Sequence, residues 1–463
     1  MARGWKKYFR TILAGSLLFG GALTSSLVLG AVPASAATAI SLYVRTSGSG
    51  VTCSQASPCS SIQTAINAAR GAIYAGDNVT INVAAGTYTE NDSVSASSLN
   101  SLTLAGAGAS TTTVNGNQKG SVLTVSNGTV TISGLTIENG SAPNSTGGGI
   151  FNSGTLTVTD STITDNDALG GGGIETYNGK LTVSGSTISG NGGQAGGGIE
   201  TVEGTLTVSG STFWGNTAIN GGGIEGLSSS LTITDSTLSG NDATSNGGGI
   251  FTEAGTDSLG ATIVAGNAGS NCYDGTGGTV TSVGYNLTDD ATGASCGFMQ
   301  PTDVVNAHPQ LGPLTDNGGP TETLMPALGS PAIGVIPSSP ATTLNRVKVC
   351  PRTDQRGVAS FGNCTIGAVE GGFLIATASL PPVTPGMAYG PIHLTTQESA
   401  LGATFKWAKV AGPKWLKMSR SGLLSGTPIA TLRAGQKSIT VKVSETATGG
   451  SSTVQATIPL TIT

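Results

Sequence analysis

The sequence predicts an all-β chain: a right-handed parallel β-helix with three short strands per rung, followed by a small Ig-like β-sandwich. Three observations carry this. The quartet Gly147-Gly148-Gly149-Ile150 returns at 171–174, 196–199, 221–224 and 247–250, a period of about 25 residues that signals stacked repeats. A second signature, Ser161 to Asn166, returns at 186–191, 211–216 and 236–241. Between the two lie alternating runs such as Leu181-Thr182-Val183, with the period and β-branched content of strands. No segment inside a unit has the length or pattern of a crossover helix, so each unit reads as one coil of three strands with turns at Asn and Gly.

Within such a coil, Leu, Val and Ile are expected inside and Thr and Ser outside. Rungs stack at roughly 4.8 Å, so like residues sit on like residues. Asn166, Asn191, Asn216 and Asn241, extended by Asn139 and Asn267, then form a ladder at a turn. Asn tolerates the left-handed backbone, and its amide can bond to the Asn above and below. The glycine triplets allow a sharp corner.

The elements follow in order. Arg3, Lys6, Lys7 and Arg10 precede an apolar stretch and the small-residue site Ala34-Ser35-Ala36, which reads as a signal peptide (1–36) cleaved after Ala36. No later apolar run is long enough to cross a bilayer. Ile62, Ala65, Ile66, Ala69 and Ile73 have helical spacing and predict a helix laid over the first rung, covering its exposed edge. The coil with its caps spans 37–370, and residues 297–370 are expected to close it. From Ala376 to Thr463, short strands and turn signals such as Leu424-Ser425-Gly426-Thr427-Pro428 predict the sandwich.

The repeated motifs also carry a resemblance. The Gly-Gly-Gly-Ile and Ser-Thr-x-x-x-Asn repeats, with Asp316-Asn-Gly-Gly-Pro-Thr321, Thr353-Asp-Gln-Arg-Gly357 and Ile366-Gly-Ala-Val-Glu370, resemble bacterial surface proteins of the pectin-lyase-like β-helix superfamily. They are similar to the repeats of polymorphic outer-membrane proteins, and closer to the secreted choice-of-anchor Q proteins. The C-terminal part resembles putative-Ig domains related to cadherin-like modules. The resemblance implies the fold and a surface role; most such proteins have no assigned activity.

Export makes the six cysteines disulfide candidates. They fall into local pairs that bracket Gly/Ser-rich loops: Cys53 with Cys59, Cys272 with Cys296, and Cys350 with Cys364. Charged residues are only 10% of the chain, and Lys180 is the one basic residue between Gly120 and Asn345. Lyases of this superfamily need a strong base beside carboxylates. Polygalacturonases need grouped Asp with His and Arg-x-Lys, and here Asp289-Asp290 lacks both partners. The reading is therefore a secreted or cell-surface protein for adhesion, glycan binding or envelope structure, and the alternative is a lyase or hydrolase acting on an acidic polysaccharide.

Two local features stand out. Glu175, Glu200 and Glu225 each follow the Gly-Gly-Gly-Ile corner and are expected on one outer face at rung spacing. Stacked like charges are unfavourable, and clustered carboxylates favour Ca²⁺. Trp214 is expected to point outward, where it can stack on a sugar. The last domain is basic: Lys406, Lys409, Lys414, Lys417, Arg420, Arg433, Lys437 and Lys442 face only Glu398 and Glu445. Such a module suits an anionic wall polymer or membrane surface. No reading motif accompanies the charge, so nucleic acid is not an expected partner.

Overall fold

The computed structural model describes residues 37–463, apart from 72–73, 328, 338–342, 345–346, 349, 351–352, 359–362, 372–373, 376–379, 395, 398–403 and 448–449. The signal-peptide segment, Ile73 and Glu398 lie outside the described residues.

Three parallel sheets run the length of the coil. The first has ten strands, from Ala39–Val44 to Thr279–Gly284. The second has eight, from Asp92–Ser95 to Cys272–Asp274, and holds the Gly-Gly-Gly-Ile strands. The third has eight, from Gly86–Thr89 to Ile263–Ala265. Registers are in phase over the repeats: Ile150, Ile174, Ile199, Ile224 and Ile250 pair in succession, as do Leu156, Leu181, Leu206 and Leu231. All of these are buried. Identical side chains stack at the strand spacing in the interior, so one rung's packing is repeated by the next.

Each rung turns at four single residues with left-handed backbone. In one rung they are Gly171, Asn178, Gly185 and Gly190; in the next, Gly196, Glu203, Gly210 and Gly215. The left-handed conformation costs least for Gly and is tolerated by Asn and Asp, which explains the residue types at most of these corners. It does not fall on the asparagine ladder, as the sequence suggested. It falls one residue earlier, at Asp165, Gly190, Gly215, Gly240 and Gly266.

Serine also departs from the expected outward placement. Ser161, Ser186, Ser211 and Ser236 are fully buried. Each hydroxyl donates to the carbonyl two residues before it, at 2.7–2.9 Å. Each also accepts a backbone N–H from the preceding rung, at 3.2–3.3 Å. A short hydroxyl side chain reaches both partners, so burial leaves no polar atom unpaired.

The coil is closed at both ends. At the start, the helix Ile62–Ala69 packs Ile62, Ala65, Ile66 and Ala69 into the same core as Leu42, Val79 and Ile81. Ser61 caps it, and Glu90 accepts the N–H groups of Ile62 and Gln63 at 2.9 and 3.2 Å, meeting the positive helix end with a carboxylate. At the far end, Cys296 and Phe298 complete the core, pinned by the Cys272–Cys296 disulfide. Of the segment 297–370, expected as the cap, Phe298 thus closes the core, while the later part lies along the side of the coil. Thr187 donates to the Glu322 carbonyl at 2.6 Å, Thr212 to Gln355 at 2.6 Å, and Ala368 N–H donates to Thr237 at 3.0 Å. Outward threonines of the third sheet thus serve as its docking points.

Cys53–Cys59 and Cys350–Cys364 form the other two disulfides. The C-terminal part has small antiparallel sheets consistent with an Ig-like sandwich. One joins Thr404–Ala411, Gly435–Ala447 and Gly450–Ile462; another joins Tyr389–His393, Leu423–Gly426 and Leu416–Met418. Trp407, Leu416, Leu424, Val441, Val443 and Leu460 lie in their common core.

Candidate functional site

The outer face of the second sheet is unlike the other two. Its first outward column reads Thr124, Phe151, Glu175, Glu200, Glu225, Phe251 and Tyr273, in register rung by rung. Glu175, Glu200 and Glu225 share one line, as expected, but not an open one. They are only 4–6% exposed.

The cover is a fourth, outer ladder made by the segments before each glycine triplet: Ser141–Thr146 pairs with Asp167–Gly170, which is followed by bridges at Gly192 and Ala195 and then by Thr217–Asn220. The carboxyls tuck into the angle between this ladder and the sheet. Glu225 Oε2 accepts the Gly196 N–H at 2.9 Å. A side chain at Gly170 would sit 2.1 Å from Glu200 Oε2 and 3.1 Å from Glu175 Oε2, so two carboxyl groups converge on the space that this glycine leaves.

Burial governs their chemistry. It pushes the Glu200 carboxyl up to about 8, with repulsion from Glu175 and Glu225 adding to the effect. Burial also raises Glu225 to about 7, against the Gly196 N–H that favours its charged form. Glu175 is raised for the same reason, and its Oε2 is buried with no hydrogen-bond partner. Burial therefore disfavours the charged form along the whole column, most strongly at Glu200. Among the described residues no group of three or more His, Cys, Asp or Glu converges as metal ligands. The three glutamates, expected on an open outer face as a Ca²⁺ stripe, are thus buried under the outer ladder.

Phe251 and Tyr273 end the column as stacked rings, with centroids 5.6 Å apart and planes within 4°. Tyr273 is 41% exposed, and Tyr177, one outward position past Glu175, is 45% exposed. Trp214 points outward from the third sheet, 42% exposed, with its indole over Gly240 of the next rung. Sequence reasoning missed the Phe251–Tyr273 pair because Tyr273 follows the last clear repeat. The signal for the covered acids was also present: Gly170 puts a fourth glycine ahead of one triplet.

The asparagine ladder is continuous. Asn166, Asn191, Asn216, Asn241 and Asn267 each donate Nδ2–H to the Oδ1 of the next member, at 2.8–3.0 Å, and Asn271 ends the series. Each of those Oδ1 atoms also accepts the backbone N–H of the preceding Asn. Asn139 is not a member. It occupies the left-handed corner one residue early, and Gly140 takes the ladder position, donating its N–H to Asn166 Oδ1 at 2.8 Å.

One cleft of about 430 Å³ brings carboxylates and an arginine together, lined by Asp160, Asp235, Asp354 and Arg356. Its guanidinium is already engaged: Arg356 is bound to Asp354 at 2.6 Å, to the Glu370 carbonyl at 2.9 Å and to Met325 sulfur. In the C-terminal sheets Lys406, Lys414, Lys417, Arg420, Arg433, Lys437 and Lys442 are exposed, while Lys409 donates to the Pro413 and Leu416 carbonyls.

No curated protein matches the chain. The family described as the right-handed β-helix region matches residues 64–237 and 120–288, which are the coil. Stacked parallel rungs, in-phase registers and this match together identify residues 64–288 as a right-handed β-helix region.

Proposed function

We propose that the protein is an exported, modular cell-surface protein whose rigid coil (37–370) binds glycan and carries an Ig-like module (376–463). The observation that carries this reading is the set of exposed aromatic rings held on the coil: Tyr177, Trp214 and the Tyr273 ring stacked on Phe251. An aromatic ring fixed on a rigid scaffold offers an apolar face to a sugar at little entropic cost. Three disulfides suit an oxidising compartment, and no helix among the described residues is long and apolar enough to cross a membrane.

A lyase or hydrolase acting on acidic polysaccharide has less support. Its general acid and base must reach the glycosidic oxygen. Here the stacked glutamates are covered, and Arg356 is engaged by Asp354. The test is a glycan array with the mature protein, followed by Tyr273→Ala and Trp214→Ala. Binding that falls about ten-fold in either variant supports the reading; an array with no bound glycan defeats it.

A further inference from the structure

We propose that a cavity in the C-terminal sheets, lined by Lys414, Trp415, Gln436 and Lys437, is a second binding site, specific for a carboxylated saccharide. Its volume of about 760 Å³ lies within the range of small-ligand pockets. Pro413, Leu432 and Ile462 give it apolar walls. Trp415 is held in place by the Tyr389 ring, set edge-on at 5.8 Å and 87°. Its indole Nε1 is buried and has no hydrogen-bond partner in the fold. The ring itself, not this buried N–H, is what Trp415 offers to the cavity.

Two ammonium groups stand beside this aromatic wall. Lys414 and Lys437 are exposed, and the only ion pair among the described residues is Arg356–Asp354, so neither lysine is neutralised by a carboxylate. The Gln436 amide is steadied by Thr461 Oγ at 3.1 Å and lines the same cavity. Apolar and aromatic walls suit the face of a sugar ring, the amide suits ring hydroxyls, and the two cations suit a carboxylate. A polyol-phosphate chain offers the charge but no ring, so it leaves the aromatic wall unused. The site is built from residues separate from the coil, and it stands whether or not the coil binds glycan.

The test is calorimetric titration of the full chain with an oligouronate, with a neutral oligosaccharide of equal length, and with polyglycerol phosphate. The oligouronate should bind alone, and more weakly as salt rises. Lys414→Gln combined with Lys437→Gln should weaken it about ten-fold or more. Trp415→Leu removes the aromatic wall and should weaken it about five-fold. Lys442→Gln, which removes a cation outside the cavity, should leave it unchanged. The proposal fails if no oligouronate binds, if polyglycerol phosphate binds better, or if both cavity variants bind as the parent does. Loss in Tyr273→Ala alone would also sink it, and would place the ligand on the coil.

Discussion

At the scale of single residues, the coil's polar interior is as specific as its apolar one. Asn216 illustrates this. Its Nδ2 donates to Asn241 and to the Ile188 carbonyl, and its Oδ1 accepts both the backbone N–H and the side-chain amide of Asn191. Asn216→Ala leaves several buried groups unpaired and should cost about 3 kcal/mol, read as a lower denaturant midpoint at unchanged slope. Asn139→Ala, outside the ladder, should cost clearly less. Equal losses would remove the ladder's special role.

The glutamate column makes a pH prediction of definite sign. Glu200 and Glu225 are raised to about 8 and about 7 in the folded chain, above the ordinary carboxylate value near 4.5. Between that value and about 8 the folded state holds more protons than the unfolded state. Stability must therefore fall as pH rises through this window, and it levels off above it. Thermal melts should show a lower Tm at pH 8.5 than at pH 5. Glu200→Gln keeps the shape and removes the ionisable group, so it should flatten that slope. A variant with the parent's full slope would mean that other buried acids, such as Asp92 and Asp257, carry the effect.

At the scale of elements, stacking order matters more than propensity. The strands are as short as three residues, and none would be stable alone. Each is held by two neighbours in register, and the end rungs need covers. The helix Ile62–Ala69 supplies one, and Phe298 with Cys272–Cys296 the other. Replacing Cys272 and Cys296 by Ser should lower stability by about 3 kcal/mol, because that bridge closes the longest of the three loops. Removing Cys53–Cys59, whose loop is the shortest, should cost less. Chemical denaturation of the two variants gives the ranking, and the reverse order would contradict it.

At the scale of the whole molecule, the coil is nearly one-dimensional, and its flank is not. Residues 197–221 are one rung, and deleting them joins equivalent positions. The coil should survive such a deletion, since stability in stacked repeats is largely a nearest-neighbour sum. The flanking segment should not survive unchanged. Gln355 bridges Thr187, Thr212 and Thr321, and the deletion removes Thr212. Limited proteolysis should cut the deleted protein faster between residues 311 and 370 while far-UV dichroism stays that of a β-protein. Loss of the β signal itself would count against a modular coil.

The sequence by itself determined the coil, its rung length, the buried isoleucine and leucine columns and the local cysteine pairs. It could do so because stacking is periodic: a residue's neighbour is found one period away, so three-dimensional contacts are written along the chain. The tertiary structure alone decided what depends on aperiodic contacts. The outer ladder that covers Glu175, Glu200 and Glu225 is built from segments of variable sequence, such as Asp167–Gly170 and Thr217–Asn220. The docking of Gln355 on Thr187 and Thr212 joins residues far apart in the chain. Asn139 falls outside the ladder because the register pairs Ile137 with Ile163 and Glu138 with Thr164, which sets Asn139 beside the corner residue Asp165 and leaves Gly140 at the ladder position.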